Sequence, residues 1–418
     1  MFENTQQPQR AALAAIDTGE YDVETSLAEL AELTKSAGAE VLASIVQKRD
    51  APDKATYIGT GRLTELKDYC KENEADLVIF DHELSATQIR NIEEIVEVRV
   101  IDRTMLILDI FALRAVSSEG KIQVELAQQR YRLPRLAGLG SQLSRLGGGI
   151  GTRGPGESKL ESDRRHIRRR ISALENELEE LEQKRADLRK RRKKNGVPIV
   201  AIVGYTNVGK STLLNTLTDA GVLAEDKLFA TLDPTARALK LPDGRTVVLI
   251  DTVGLIRRLP HQLVQAFHST LEEAANADVI LNVCDAASDD ALTQLEVTAS
   301  LLKELGADQT PILTVCNKCD MVYETLPEPQ NGKVFISAKK GEGMETLLLE
   351  LQKLLAETTK RMTVTLPYSQ AALAAKVRSE GKLLDESFTE SGVMLEAIVD
   401  TRTRLYQELL LYEVEQKA

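Results

Sequence analysis

Cysteine is scarce in this chain. Four residues among 418 cannot build a disulfide scaffold, which points to a reducing environment. Long apolar runs are missing too: stretches such as Val197–Val203 suit buried strands and fall short of the roughly 18 residues of a membrane span. Met1–Glu24 has no apolar block behind basic residues, so no secretory leader is legible. A cytoplasmic location without stable membrane insertion is expected. His82, His166, His261 and His268 show no metal-ligand spacing. What the chain does have is ordinary globular composition, 43% hydrophobic and 28% charged, which excludes a disordered chain. At a prior of about 150 residues per domain, its length fits two to four domains.

The net charge of −11 is unevenly spread. Arg130–Lys194 holds 19 Lys and Arg against 9 Asp and Glu, so the remainder is strongly acidic. An acidic body with one basic segment can approach a polyanion with a chosen face. A solvated charged helix is the plainer reading of the same run.

Residues from Leu27 to Leu113 alternate between helical and strand-like patterns, which predicts a small α/β unit. Ser26 is expected to cap a helix through Leu33, and Ser85 one reaching Val96. Asp81, His82, Asp102 and Asp109 sit singly at element ends, where capping and turn roles outnumber catalytic ones. Ile122, Leu126, Gln129, Leu133 and Leu136 then step by four and three, and so do Ile167, Ile171, Leu174, Leu178 and Leu181. That spacing predicts a coiled-coil seam between two helices folded back as an antiparallel hairpin, the second running over Lys159–Lys194. Ala137–Ser158, with eight glycines, is read as a long cationic loop at its tip, where Pro155-Gly156 interrupts any helix. Gly149, Gly151 and Gly154 spell G-x-G-x-x-G, but a preceding strand and a helix at the third glycine are lacking, so a dinucleotide site is not expected. Close contact with phosphates and bases suits the tip better, with Arg145, Arg153 and Lys159 as candidate RNA contacts.

The apolar run Val197–Val203 leads directly into Gly204-Tyr205-Thr206-Asn207-Val208-Gly209-Lys210-Ser211, a G-x-x-x-x-G-K-S before a helical pattern. Glycines let successive N–H groups turn inward around phosphates, and the following helix adds its dipole. Lys210 is placed for the β and γ phosphates, and the Ser211 hydroxyl for magnesium. Val247–Ile250 ends in Asp251-Thr252-Val253-Gly254, where a carboxylate can hold magnesium through water and a glycine amide can sense a γ-phosphate. Ile312–Cys316 leads into Asn317-Lys318-Cys319-Asp320. A carboxylate at Asp320 can accept from the guanine N1–H and amine, and adenine would leave it unpaired. Ser337-Ala338-Lys339 follows another short strand, its backbone available to the base carbonyl. Four motifs in order, each ending a strand, define a guanine-nucleotide domain. Phe229-Ala230-Thr231-Leu232-Asp233-Pro234-Thr235 is the segment expected to order on the γ-phosphate, with Thr231 favoured over Thr235 as second hydroxyl ligand of magnesium. Lys210, Thr231 and Gly254 are the residues expected to carry hydrolysis.

Leu255 stands where many such enzymes carry a water-orienting glutamine, so slow intrinsic turnover is expected. Asn207 can help to hold a monovalent cation, potassium, beside the phosphates; a simple turn former is the alternative. Cys316 and Cys319 form C-x-x-C, yet the residues between them are committed to base recognition and no second Cys/His pair lies nearby, so neither zinc nor redox chemistry is expected there.

The chain resembles the HflX family of ribosome-associated GTPases, in the Obg–HflX group. The resemblance rests on Gly204–Ser211, Phe229–Thr235, Asp251–Gly254 and Asn317–Asp320, and more specifically on Phe80–Ser85, Val100–Phe111, Gln123–Gln128, Gly148–Asp163, Leu259-Pro260-His261 and Ala266-Phe267. It implies an α/β multidomain chain: an N-terminal α/β subdomain (1–115), a helical hairpin with a glycine-rich tip that touches ribosomal RNA (116–196), a P-loop GTPase domain (197–360) and a small C-terminal α+β domain (361–418). A hydrophobic residue after D-x-x-G is usual in such proteins, so Leu255 is no departure. The implied function is GTP hydrolysis coupled to nucleotide-dependent binding of the large ribosomal subunit, in splitting, rescue or biogenesis, by a protein that is monomeric when free. The alternative is a GTP-switched regulatory module that binds a protein partner or, through Lys184–Lys194, an anionic membrane surface.

Overall fold

The computed structural model describes residues 8–136, 155–195, 197–218, 229, 235–252, 254–256, 274–307, 310–401 and 403–414. These divide into two compact units: Met1–Glu179 together with Phe229, and the remainder from Glu180 onward.

In the first unit, β1 (Arg10–Asp17), α1 (Val23–Ser36), β2 (Glu40–Lys48), α2 (Thr60–Glu72), β3 (Leu77–Phe80), α3 (Ala86–Val96) and β4 (Arg99–Asp102) build a parallel sheet in the order β2-β1-β3-β4. Its central strand, β1, was not anticipated. Arg-Ala-Ala-Leu-Ala-Ala-Ile-Asp has neither alternation nor β-branched enrichment, because a strand paired on both edges and covered on both faces buries every side chain from Ala11 to Ile16. The cap of α1 also differs from expectation. Asp22 accepts from the N–H groups of Glu24 and Thr25, while Ser26 donates its hydroxyl to Asp81 at 2.7 Å. Ser85 does cap α3, in a reciprocal box with Gln88. Asp102 caps α4 (Arg103–Arg114) through the Met105 N–H.

The hairpin is formed by α5 (Ser118–Arg135) and the 41-residue helix Pro155–Asn195. Ile167, Ile171, Leu174, Leu178 and Leu181 are withdrawn from solvent among exposed neighbours, as the seam spacing requires, with Leu174 fully buried. Arg130 pairs with Glu175 at 2.7 Å and Arg170 with Glu125 at 2.6 Å across the seam. The second helix begins four residues before Lys159, inside the stretch assigned to the loop. Pro155 opens that helix rather than breaking it, since a first-turn proline has no intrahelical N–H bond to lose and a preset φ.

In the second unit, β5 (Ile199–Gly204), β6 (Thr235–Lys240), β7 (Thr246–Asp251), β8 (Val279–Asp285), β9 (Ile312–Asn317) and β10 (Lys333–Phe335) form a six-stranded sheet, order β10-β9-β8-β5-β7-β6. Only β6 runs antiparallel. Helix Lys210–Thr218 follows β5, Ala291–Glu304 joins β8 to β9, and Met344–Thr358 follows β10 and leads into the appendage. The C-terminal appendage is an antiparallel sheet of β11 (Thr359–Leu366), β12 (Lys382–Thr389) and β13 (Gly392–Asp400), order β11-β13-β12, packed by helix Ala371–Glu380. Among the described residues no helix is long and apolar enough to cross a membrane.

Candidate functional site

The carboxyl ends of β5, β7, β8 and β9 meet at one edge of the second unit's sheet, and all four motifs lie there. Gly204 closes β5 at φ +150°, and a Cβ on it would sit 2.2 Å from the Val283 carbonyl oxygen, so only glycine lets the loop leave the sheet. Asn207 and Gly209 both take positive φ, 61° and 90°. The Asn207 side chain is exposed, which leaves the turn-forming role satisfied by backbone conformation alone.

Lys210 is buried and donates to the Tyr205 carbonyl at 2.7 Å. Burial pushes its ammonium down to about 8, and nearby Asp251 partly opposes the shift. The Ser211 hydroxyl donates to the fully buried Asp251 carboxylate at 2.8 Å. Thr252 donates its hydroxyl to the Ile202 carbonyl at 2.8 Å, which pins the D-x-x-G segment to β5. Leu255 does the same through its backbone, giving its N–H to Gly204 and its carbonyl to Thr206. Gly254 is pressed against the phosphate loop: an added Cβ would meet Thr206 Cγ2 at 2.7 Å and Lys210 Nζ at 3.1 Å. Thr206 Oγ1 is buried there without a hydrogen-bond partner among the described residues.

The N-K-x-D side of the site is built on Asn317. Its amide donates to the Val208 carbonyl at 2.8 Å and its oxygen accepts the Ala338 N–H at 2.9 Å, which joins the phosphate loop, the N-K-x-D and the Ser337–Lys339 turn. Lys318, at φ 62°, pairs with Asp285 at 2.8 Å. The Ser337 hydroxyl holds the Asp320 carboxyl below the usual carboxylate range, helped by Lys340 and Lys339, so Asp320 stays an acceptor. Cys319 donates its N–H to Ile336. Asp285 was missed in the sequence; its signal was a carboxylate at the end of a buried strand beside two motif-bearing ones.

The structure thus gathers Gly204–Ser211, Asp251, Thr252, Gly254, Asn317–Asp320 and Ser337–Lys339 at one edge. Phe229 belongs to the first unit, fully buried with its ring edge-on to Phe111 at 4.6 Å. Ala230, Thr231, Leu232, Asp233 and Val253 fall outside the described residues, as do Arg145 and Arg153; Lys159 lies in the second hairpin helix.

A phosphate loop after β5, a carboxylate ending β7 and an Asn-Lys-x-Asp after β9 define a P-loop guanine-nucleotide domain. Residues 24–112 match the profile of the GTP-binding GTPase N-terminal domain, 114–192 that of the GTP-binding GTPase middle region, and 199–318 that of the 50S ribosome-binding GTPase. GTPase HflX of Caldanaerobacter subterraneus subsp. tengcongensis is 53% identical over 399 residues, 96% of this chain and 93% of its own length. GTPase HflX of Escherichia coli strain K12 is 42% identical over 424 residues, 99% of both chains. A solved GTP-binding protein from Sulfolobus solfataricus, in complex with GDP, shares 27% identity with a TM-score of 0.45, covering 84% of this chain and 99% of that one. The chain belongs to the HflX family of GTPases.

Proposed function

We propose that the protein is a GTP-switched factor of the ribosome, which engages the large subunit and its RNA when loaded with GTP and lets go after hydrolysis. One observation carries this reading. A single chain holds both an Asn317-tied guanine site and a hairpin whose Arg130–Lys194 span carries 19 basic residues against 9 acidic ones. The family profile for 50S ribosome-binding GTPases supports the choice of partner.

The site's residues take the following roles. Backbone N–H groups of Gly204–Ser211 cradle the phosphates and Lys210 leaves the Tyr205 carbonyl to neutralise them. Asp320 reads the guanine edge, with Ser337–Lys339 beside the base. Ser211 and Asp251 present hard oxygens 2.8 Å apart at the strand end, a donor set that suits magnesium, and Thr231 completes it. A magnesium ion held there would supply charge neutralisation to the phosphate oxygens. Gly254 reports the γ-phosphate, and Phe229–Asp233 with Thr252 and Val253 form the segments that answer it. With Leu255 in place of a water-orienting residue, turnover waits on the ribosome. Asn207 adds a potassium ligand, so replacing sodium with potassium raises the hydrolysis rate. The four-part division at 115, 196 and 360 separates the N-terminal sheet, the RNA-binding hairpin with Arg145, Arg153 and Lys159, the GTPase domain and the appendage.

The test is sucrose-gradient sedimentation of the full chain with separated ribosomal subunits and either a non-hydrolysable GTP analogue or GDP. Analogue-dependent migration with the large subunit is the expected outcome. Equal binding with either nucleotide, or migration only with liposomes or a protein partner, overturns the reading.

A further inference from the structure

Three of the four cysteines lie together beneath the base-recognition loop: Cys284 on β8, and Cys316 and Cys319 around the end of β9, with Leu295, Leu326 and Phe335 packed about them. The sequence pairs Cys316 with Cys319, but the fold pairs it with Cys284. β8 and β9 run parallel with Cys284 directly opposite Cys316, and their sulfurs are 3.8 Å apart. Neighbouring strands lie about 4.8 Å apart, inside the Cα range of disulfides. The sulfurs therefore need to close by a little under 2 Å to reach the roughly 2.05 Å of a bond. Cys319 is engaged elsewhere: its thiol donates to the Cys316 carbonyl at 3.2 Å, and burial pushes it up to about 11, so it stays protonated.

We propose that Cys284 and Cys316 are an oxidation site, converted by a hydroperoxide to a disulfide that loosens the guanine end of the nucleotide pocket.

The geometry assigns the order of events. The Cys284 S–H points at the Cys316 sulfur, and that hydrogen bond, with the Lys333 ammonium, holds the Cys316 thiol below its usual range. Cys316 is also the less buried of the two, at 9% exposure against 2%. The Cys316 thiolate attacks one peroxide oxygen; an S–O bond forms, the O–O bond breaks, and hydroxide leaves to be protonated to water. Cys284 then attacks the oxidised sulfur; an S–S bond forms, the S–O bond breaks, and the departing hydroxide takes the Cys284 proton as a second water. Two thiols are oxidised and one peroxide is reduced.

The consequence follows from what stands next in the chain. Asp285, after Cys284, pairs with Lys318; Asn317, after Cys316, holds Val208 and Ala338. Ala286 donates its N–H to the Asn317 carbonyl, so the two strand ends are already linked at that level. Drawing the sulfurs together displaces both ends and misaligns at least one of these buried hydrogen bonds. The expected loss in guanine-nucleotide affinity is about tenfold.

This effect rests on the guanine-site reading, and the two are tested separately. The reduced full-length protein is first titrated with a fluorescent GDP analogue; failure to bind overturns the guanine site and leaves the thiol chemistry untouched. The protein is then treated with stoichiometric hydrogen peroxide, blocked and digested without reductant. A Cys284–Cys316 cross-linked peptide is expected, together with weakened binding that a thiol reductant restores. Cys70→Ala, in the first unit and outside the site, retains both effects. Cys284→Ser and Cys316→Ser each lose the cross-link and bind nucleotide equally before and after peroxide. A cross-link to Cys319 or Cys70, sulfinic acid without a cross-link, or a Cys284–Cys316 cross-link that leaves affinity unchanged each overturns the proposal.

Discussion

The Asn317 side chain spans from the Val208 carbonyl, inside the phosphate loop, to the Ala338 N–H, in the Ser337–Lys339 turn, with both bonds at or below 2.9 Å. A residue chosen from the sequence as part of a base-recognition motif therefore acts here as the tie between the two halves of the pocket. Removing it leaves a buried carbonyl and a buried N–H without partners, each costing about 1–3 kcal/mol. Asn317→Ala is expected to lower GDP and GTP affinity alike by about 30- to 150-fold, on the order of 2–3 kcal/mol. Equilibrium titration with a fluorescent analogue measures it. A variant that discriminates less between guanine and adenine while binding GTP normally would assign Asn317 to the base alone.

Lys210 gives the site a pH signature. Its folded pKa lies near 8, below the unfolded 10.5, because burial disfavours the charge. Between those values the unfolded chain binds more protons than the folded one, so nucleotide-free stability from this group rises with pH, by a few kcal/mol at most. Below about pH 8 the buried ammonium is a constant burden. Urea denaturation of the nucleotide-free protein from pH 7.5 to 9.5 is expected to show this rise, and Lys210→Met to lack it. Phosphate oxygens beside the ammonium restore its charge, so GDP binding at pH 8.5 takes up protons, read by calorimetry in buffers of different ionisation enthalpy.

The nucleotide site was legible because its chemistry is written contiguously: Gly204–Ser211, Asp251–Gly254 and Asn317–Asp320 each occupy a single loop after a buried strand. What stayed hidden depends on sheet order. Asp285 enters the site only because β8 lies between β5 and β9, and Cys284 meets Cys316 for the same reason. Ala11–Ile16 escaped because a fully covered central strand has no period to detect. A cap at Ser26 is expected because a serine before an apolar run fits that role as well as Asp22 does; the difference is that Asp81, 55 residues away, claims its hydroxyl. The helix start at Pro155 was masked by the glycines around it.

The first unit hangs on a buried charge cluster. Arg103 pairs with Asp81 at 2.9 Å and also with Glu29, while the Asp81 side chain is entirely shielded from water. Such a cluster is worth little against an apolar replacement, but breaking it leaves a carboxylate buried without its cation. Arg103→Met is expected to destabilise this unit by about 3–5 kcal/mol, seen as an earlier urea transition. Adding Asp81→Asn to that variant recovers part of the loss, because the stranded charge is gone. Equal stability of the single and double variants would show that lost packing, and not the unpaired carboxylate, sets the cost.

Leu174 tests the hairpin as an independent working part. It is the fully buried residue in a stripe of half-buried Ile167, Ile171, Leu178 and Leu181, in a helix otherwise rich in charge. Truncation to alanine removes three carbons from a seam one residue wide, and a core leucine lost in this way costs about 2–5 kcal/mol. The Arg130–Glu175 and Arg170–Glu125 pairs cannot compensate, because partly exposed pairs contribute at most about 1 kcal/mol each. Leu174→Ala is therefore expected to open the hairpin locally, with faster amide exchange over Ser118–Arg135. Nucleotide affinity should be unchanged, since Gly204–Ser211, Asp251, Asn317–Asp320 and Ser337–Lys339 belong to the second unit. Ribosome binding should weaken and fall less steeply with salt, because a splayed hairpin no longer holds its cations at the spacing of the phosphates and so releases fewer counterions. If ribosome binding instead survives intact while exchange accelerates, the basic helix binds RNA as a charged rod, and the seam serves only the stability of the first unit.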